Sequence, residues 1–169
     1  MGSTPAENAT FEVEKMTASS FYATTIFLDG HGVLLIGSSG SGKSLLALEL
    51  MSQGGFLVAD DVTFLTVDDG KIYASANSQW KGCIEARGVG ILSGFSTKQN
   101  VRIDYCIELT EDVPDRIPFK IQTFEYCGIE IPLFRINKNE KFLPTLVKIA
   151  GKIISKEVSL MSFDEMHRK

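Results

Sequence analysis

Several features that would fix the class of a protein are missing from this sequence. The three cysteines, Cys83, Cys106 and Cys127, are odd in number and far apart, which argues against a disulfide framework and against a C-x-x-C metal site. They read as reduced, mostly buried thiols. No apolar run approaches the roughly 18 residues of a membrane span, and the N-terminal stretch lacks the charged, apolar and small-residue order of a signal peptide. A soluble, cytoplasmic protein without a membrane partner is expected. Basic residues are not in excess: 17 Lys and Arg stand against 21 Asp and Glu, giving a net charge of −4 and no electrostatic footprint for nucleic acid. No repeat or low-complexity linker divides the 169 residues, a length that suits one domain burying about 70% of its unfolded surface.

What the sequence does have is concentrated in Val33 to Leu48. Val33-Leu34-Leu35-Ile36 suits a buried strand and runs into Gly37-Ser38-Ser39-Gly40-Ser41-Gly42-Lys43-Ser44, which satisfies G-x-x-x-x-G-K-[ST] at every fixed position. The three glycines let the backbone curve tightly, so that successive N–H groups can converge on one anion. A helix starting near Lys43 adds its unpaired N-terminal N–H groups and its dipole. Lys43 would bring a full positive charge to the β/γ-phosphates, and the Ser44 hydroxyl is placed to ligate Mg²⁺. Leu45, Leu46, Leu48 and Leu50 continue that helix to about Gln53, where Gly54-Gly55 suits a glycine cap.

Elsewhere the chain reads as strands. Tyr22 to Asp29 is one, and Gly30-His31-Gly32 follows as a hairpin turn in which His31 tolerates an unusual backbone angle. Phe56 to Ala59 and Val62 to Val67 flank Asp60-Asp61. Two adjacent carboxylates within an apolar run are costly to bury unless cations or donors meet them, and Mg²⁺ with a substrate hydroxyl would supply both. Asp68-Asp69-Gly70 reads as a turn into Lys71 to Ala74, and Trp80 as a packing residue at a loop edge. Glu85 and Arg87 lie among apolar residues, a pattern open to a structural ion pair or to a functional one.

Val101 to Leu109 and Ile129 to Ile136 are further strands, the second marked by Pro132 as an edge or a bulge. Phe142 to Ser155 carries apolar residues at helical spacing despite Gly151, as a core or oligomer contact. Many strands with two convincing helices predict an α/β fold, a phosphate-loop domain built on a mixed β-sheet with flanking helices. Residues 1–18 are expected to form a flexible N-terminus, 19–155 the domain, and 156–169 a C-terminal tail.

Three stretches then stand together: Gly37 to Ser44, Leu57-Val58-Ala59-Asp60-Asp61, and Glu85-Ala86-Arg87-Gly88-Val89-Gly90-Ile91. Together they resemble the catalytic domain of bacterial HPr kinase/phosphorylase. The likeness continues through Asp115-Arg116 and Gly128-Ile129-Glu130-Ile131-Pro132, and has the look of a short form without the family's separate N-terminal domain. It implies a sheet of the HPr kinase/PEP carboxykinase type and an ATP- and Mg²⁺-dependent protein serine kinase acting on HPr or an HPr-like carrier. By position, Lys43 would hold the phosphates, Ser44 and Glu85 would bind metal, and Asp61 would take the proton of the substrate serine with Asp60 in support. Arg87 would close around the reacting phosphates, Arg116 would be an active-site arginine, and the chain would form a homo-oligomer, a hexamer by resemblance.

Two departures qualify what is carried over. Tyr22-Ala23 stands where the family has His-Gly. Asn137-Lys138-Asn139-Glu140-Lys141-Phe142 does not match the stretch associated with phosphorolysis, which leaves the reverse reaction without its expected residues. A different class of function, a nucleotide-responsive regulatory module that kept phosphate binding and lost efficient catalysis, is the alternative these departures motivate. A GTPase is set aside, because Glu140 stands where N-K-x-D requires Asp and no D-x-x-G follows the loop.

Overall fold

The computed structural model describes residues 18–114, 120–161 and 165. In chain order the elements are β1 (Ser19–Tyr22), β2 (Thr24–Leu28), β3 (His31–Gly37), α1 (Lys43–Ser52), β4 (Phe56–Ala59), β5 (Val62–Asp68) and β6 (Lys71–Ser75). A 3₁₀ turn over Ser78–Trp80 follows, then β7 (Ile84–Ala86), β8 (Gly90–Leu92), β9 (Val101–Thr110), β10 (Gln122–Tyr126), β11 (Ile129–Asn137) and α2 (Leu143–Ile154).

The expected mixed α/β architecture is present. Strands run in the order β1-β5-β6-β9-β3-β2-β4, and β11 and β10 continue the sheet from the same β9. β9 is the spine: its first residues pair with β6, while further along β3 and β11 both lie parallel to it. A strand covered on both faces needs an almost continuous apolar sequence, and Val101, Ile103, Tyr105, Cys106, Ile107 and Leu109 supply one. Alternation sorts the strands into two cores. Val33, Leu35, Tyr105 and Ile107 meet Leu46 and Leu50 of α1 and Val147 of α2. Leu34 and Cys106 meet Leu65, Ile72 and Ile131 on the other face.

β2 and β3 form the expected hairpin, but His31 is not its turn residue. Asp29 and Gly30 adopt the positive φ values, 49° and 87°, of a two-residue turn, and His31 opens β3 opposite Leu28. The single strand expected over Tyr22 to Asp29 is divided at Ala23, because β1 pairs with β5 while β2 pairs with β3 and β4. α1 ends as expected, with the Gly55 N–H donating to Leu50 O at 3.0 Å. Pro132 is tolerated because it pairs only with β10; the ladder to β9 begins at Leu133. All three cysteines are free, but only Cys106 is buried; Cys83 is half-buried and Cys127 is exposed in the turn between β10 and β11.

Gly151 is explained by close packing. A Cβ there would lie 3.1 Å from the Tyr105 hydroxyl, which donates to Val147 O at 3.0 Å and so fixes α2 on β9. Among the described residues no helix is long and apolar enough to cross a membrane.

Candidate functional site

Residues Gly37 to Ser44 leave the end of β3 and enter α1 as one loop. Gly37 is required by crowding: a Cβ there would meet Leu109 O at 2.7 Å and Ser41 Oγ at 2.8 Å. Gly40 and Gly42 take φ values of 76° and 96°, and Gly42 caps α1 without a side chain, leaving the first N–H groups of the helix open. The Ser41 N–H donates to Ser38 O at 3.1 Å and closes the loop on itself. Ser41 Oγ is buried and has no hydrogen-bond partner among the described residues.

Lys43 is buried, only 3% exposed. Its ammonium donates to Gly37 O and Ser38 O, both at 3.1 Å, and lies 4.3 Å from the centre of the Tyr22 ring. Neither Lys43 nor Arg87 is ion-paired with a carboxylate among the described residues. Arg87 reaches over the loop, since a Cβ on Gly40 would lie 3.6 Å from its Nη1. Two uncompensated cations, open helix N–H groups and a glycine cradle are the donor set that a polyphosphate requires, so the residues present fit such a group.

The two acids occupy the short connection between β4 and β5. The Val62 N–H donates to Asp60 O at 2.6 Å across a three-residue turn, which puts Asp61 at a φ of 57°. Asp60 is held from three directions. Its Oδ1 accepts from Ser44 Oγ and Thr24 Oγ1, each at 2.8 Å, and its Oδ2 accepts from the Glu85 N–H at 3.0 Å. One carboxylate therefore ties together the phosphate loop, β2 and β7. Thr24 also receives the Asp61 N–H at 3.4 Å.

The Asp61 carboxylate accepts no hydrogen bond from the described residues and enters no ion pair. Burial pushes its pKa above the ordinary carboxylate range, Asp60 and Glu85 push the same way, and Lys43 and Arg87 pull it back. A carboxyl with a raised pKa and no fixed partner suits proton acceptance. It lines a cleft of about 590 Å³ together with Tyr22, Gly40, Ser44, Glu85 and Arg87.

Asp60, Asp61, Glu85, Arg87 and the whole stretch from Gly37 to Ser44 are thus brought to one place. Arg116, with Asp115, lies outside the described residues. Glu85 is exposed at the mouth of the cleft, and among the described residues no three His, Cys, Asp or Glu side chains cluster as a metal cage. A divalent ion here would draw on Ser44, on the single carboxylate of Glu85 and on ligand oxygens, the usual mode for Mg²⁺. Sequence reasoning missed Thr24, whose residue type in a strand signals only β propensity.

A family model described as the HPr Serine kinase C-terminal domain matches residues 14–168. The HPr kinase/phosphorylase of Malacoplasma penetrans is 31% identical over 174 residues, covering 95% of this chain and 58% of that protein. The HPr kinase/phosphorylase of Lactobacillus acidophilus is 33% identical over 70% of this chain and 40% of its own length. The chain therefore spans about half the length of the curated relatives it matches. Among solved structures, the HPr(Ser) kinase/phosphatase of Coxiella burnetii superimposes with a TM-score of 0.70 at 25% identity, covering 82% of this chain and 93% of that one.

Proposed function

We propose, from the premise that the chain belongs to the HPr serine kinase C-terminal domain family, that it transfers a phosphoryl group from Mg²⁺-bound ATP to a serine of HPr or an HPr-like protein. The observation that carries this reading is that one cleft is lined by Lys43 and Arg87, neither ion-paired with a carboxylate among the described residues, and by Asp61, a carboxylate of raised pKa. Phosphoryl transfer asks little covalent chemistry of a protein; it needs an in-line hydroxyl, a base and positive charge on the phosphate oxygens.

Mg²⁺, when bound with the nucleotide, neutralises charge on the transferring phosphate. Every other role falls to the chain. Lys43 and the loop N–H groups hold the phosphates, Arg87 covers them, and Arg116 is proposed to join them. Ser44 and Glu85 are the proposed metal ligands. Asp61 receives the proton as the substrate serine attacks. Asp60 is a positioning residue: its bond from Ser44 fixes that hydroxyl, and its bonds from Thr24 and Glu85 fix the turn that presents Asp61. In the same reading the chain works as a soluble homo-oligomer, a hexamer by resemblance, without nucleic-acid or membrane partners; light scattering tests the assembly.

Incubation with labelled ATP, Mg²⁺ and HPr tests the activity, and phosphoserine is the expected product. Tight ATP binding without phosphoserine would overturn it in favour of a nucleotide-responsive regulatory module. One observation favours that second reading: Tyr22, where the family has histidine, stacks on the phosphate-loop lysine. Phosphorolysis of phosphoserine is not expected, because residues 137–142 lack the family's pattern.

A further inference from the structure

Lys43 has no N–H to spare. An ammonium carries three donors and no acceptor. Two of them go to Gly37 O and Ser38 O, each at 3.1 Å, and the face of the Tyr22 ring stands 4.3 Å away to take the third. The ring thereby serves a buried cation that has no carboxylate partner among the described residues. Every donor is met by the chain itself, so a phosphate oxygen reaches Lys43 only by displacing a group already there.

Of the three groups, the ring is the one that can leave. The carbonyls belong to the loop, where Gly37 is locked by crowding against Leu109 O, and a hydrogen bond from an ammonium is stronger than its attraction to a ring face. Tyr22 is held differently. It is the last residue of β1, an edge strand, and it is 48% exposed. Its hydroxyl makes no hydrogen bond to the described residues, so nothing tethers the far end of the ring. Only the backbone is fixed: Tyr22 pairs with Val62, and the next N–H, of Ala23, donates to Asp61 O at 3.1 Å. The side chain can therefore rotate off the lysine while the turn that presents Asp61 stays in place.

We propose that Tyr22 competes with the nucleotide for Lys43: phosphates load by turning the ring off the ammonium, and this one side chain sets how tightly the loop binds them. Tyr22 is thus a positioning residue, acting on the phosphates through Lys43. The inference rests on the reading of the loop as the nucleotide site and adds to it the residue that tunes its affinity. A non-aromatic side chain at this position leaves Lys43 with a donor free for phosphate.

Titration calorimetry of the full chain with ATP and Mg²⁺, and separately with pyrophosphate and Mg²⁺, tests this with no acceptor protein present. Tyr22→Leu keeps apolar bulk and removes the ring face, Tyr22→Thr removes both and suits a strand, and Tyr22→Phe keeps the face and removes the hydroxyl. Folding of each is verified by circular dichroism, and either Leu or Thr alone suffices. Both are expected to lower Kd for both ligands about tenfold, the order of a desolvated cation–π contact, while Tyr22→Phe keeps the wild-type Kd. Damage to the site would raise Kd, so a tighter complex separates competition from a merely structural role. An unchanged or raised Kd in the Leu and Thr variants overturns the inference. So does tightening confined to ATP, because Lys43 meets phosphates and not the base, and so does tightening shared by Tyr22→Phe, which would make the hydroxyl the competitor. If neither wild type nor variants bind either ligand, the nucleotide site and the inference fall together. If the Leu variant binds more tightly and HPr is still never phosphorylated, the inference stands and the kinase reading falls.

Discussion

At the scale of single residues, the site depends on two aspartates with different tasks. Asp60 is fully partnered and Asp61, among the described residues, is not, so the same substitution should have different consequences at the two positions. Asp61→Asn should keep ATP binding and lower phosphoryl transfer by about 10²- to 10⁴-fold, the usual contribution of a general base, as measured by phosphoserine formation. Asparagine tolerates the left-handed backbone at that position, so the fold is retained. Stability should move the other way. Because the folded state holds the Asp61 pKa above its unfolded value, its ionisation removes stability as pH rises through the raised pKa. Asp61→Asn should therefore melt at higher temperature than wild type at pH 7, with the difference vanishing toward about pH 3, where the carboxyl is protonated in both states. Thr24→Val should cost about 1–3 kcal/mol in urea denaturation, since it removes a donor to the Asp60 carboxylate within a buried strand.

At the scale of elements, α2 shows why a glycine belongs inside a helix. Replacing an interior helical glycine by alanine ordinarily stabilises by up to about 1 kcal/mol. At Gly151 the added methyl would press on the Tyr105 hydroxyl, and Tyr105 cannot retreat: it is 1% exposed and bonded to Val147 O. Gly151→Ala should thus lower the urea midpoint, where Gly54→Ala, at a φ of 100° beyond α1, tests backbone strain alone. β7 and β8 form a two-stranded sheet of their own. The bond from the Glu85 N–H to Asp60 fixes that hairpin to the site, which is how an exposed glutamate and an exposed arginine come to stand over the phosphate loop.

At the scale of the whole molecule, nucleotide binding and stability are linked. A ligand at 100 times its Kd adds about 2.7 kcal/mol to the folded state. ATP with Mg²⁺ should raise the melting temperature, chelation of the metal should reduce the shift, and Lys43→Ala should abolish both the shift and productive nucleotide use; a thermal-shift series reads all three. The fold and site were legible in the sequence to different depths. The loop, α1 and the apolar run of β9 were readable because each is dictated by neighbours in the chain: glycine spacing, helical periodicity, alternation. β1 was not, since the edge strand Ser19–Tyr22 takes its conformation from β5, some forty residues away in sequence; β10 was not either, since the alternating polar residues of Gln122–Tyr126 take strand form by pairing with β11 across the Cys127-Gly128 turn. His31 was misplaced because Asp29-Gly30 satisfies the same two-residue turn one position earlier. By itself, then, the sequence determined the phosphate loop, the class of fold and the presence of an acidic pair. Only the tertiary structure decided which acid is held and which is free, because that depends on hydrogen bonds from Ser44, Thr24 and Glu85, residues up to 61 positions apart that only the curled sheet brings to one carboxylate.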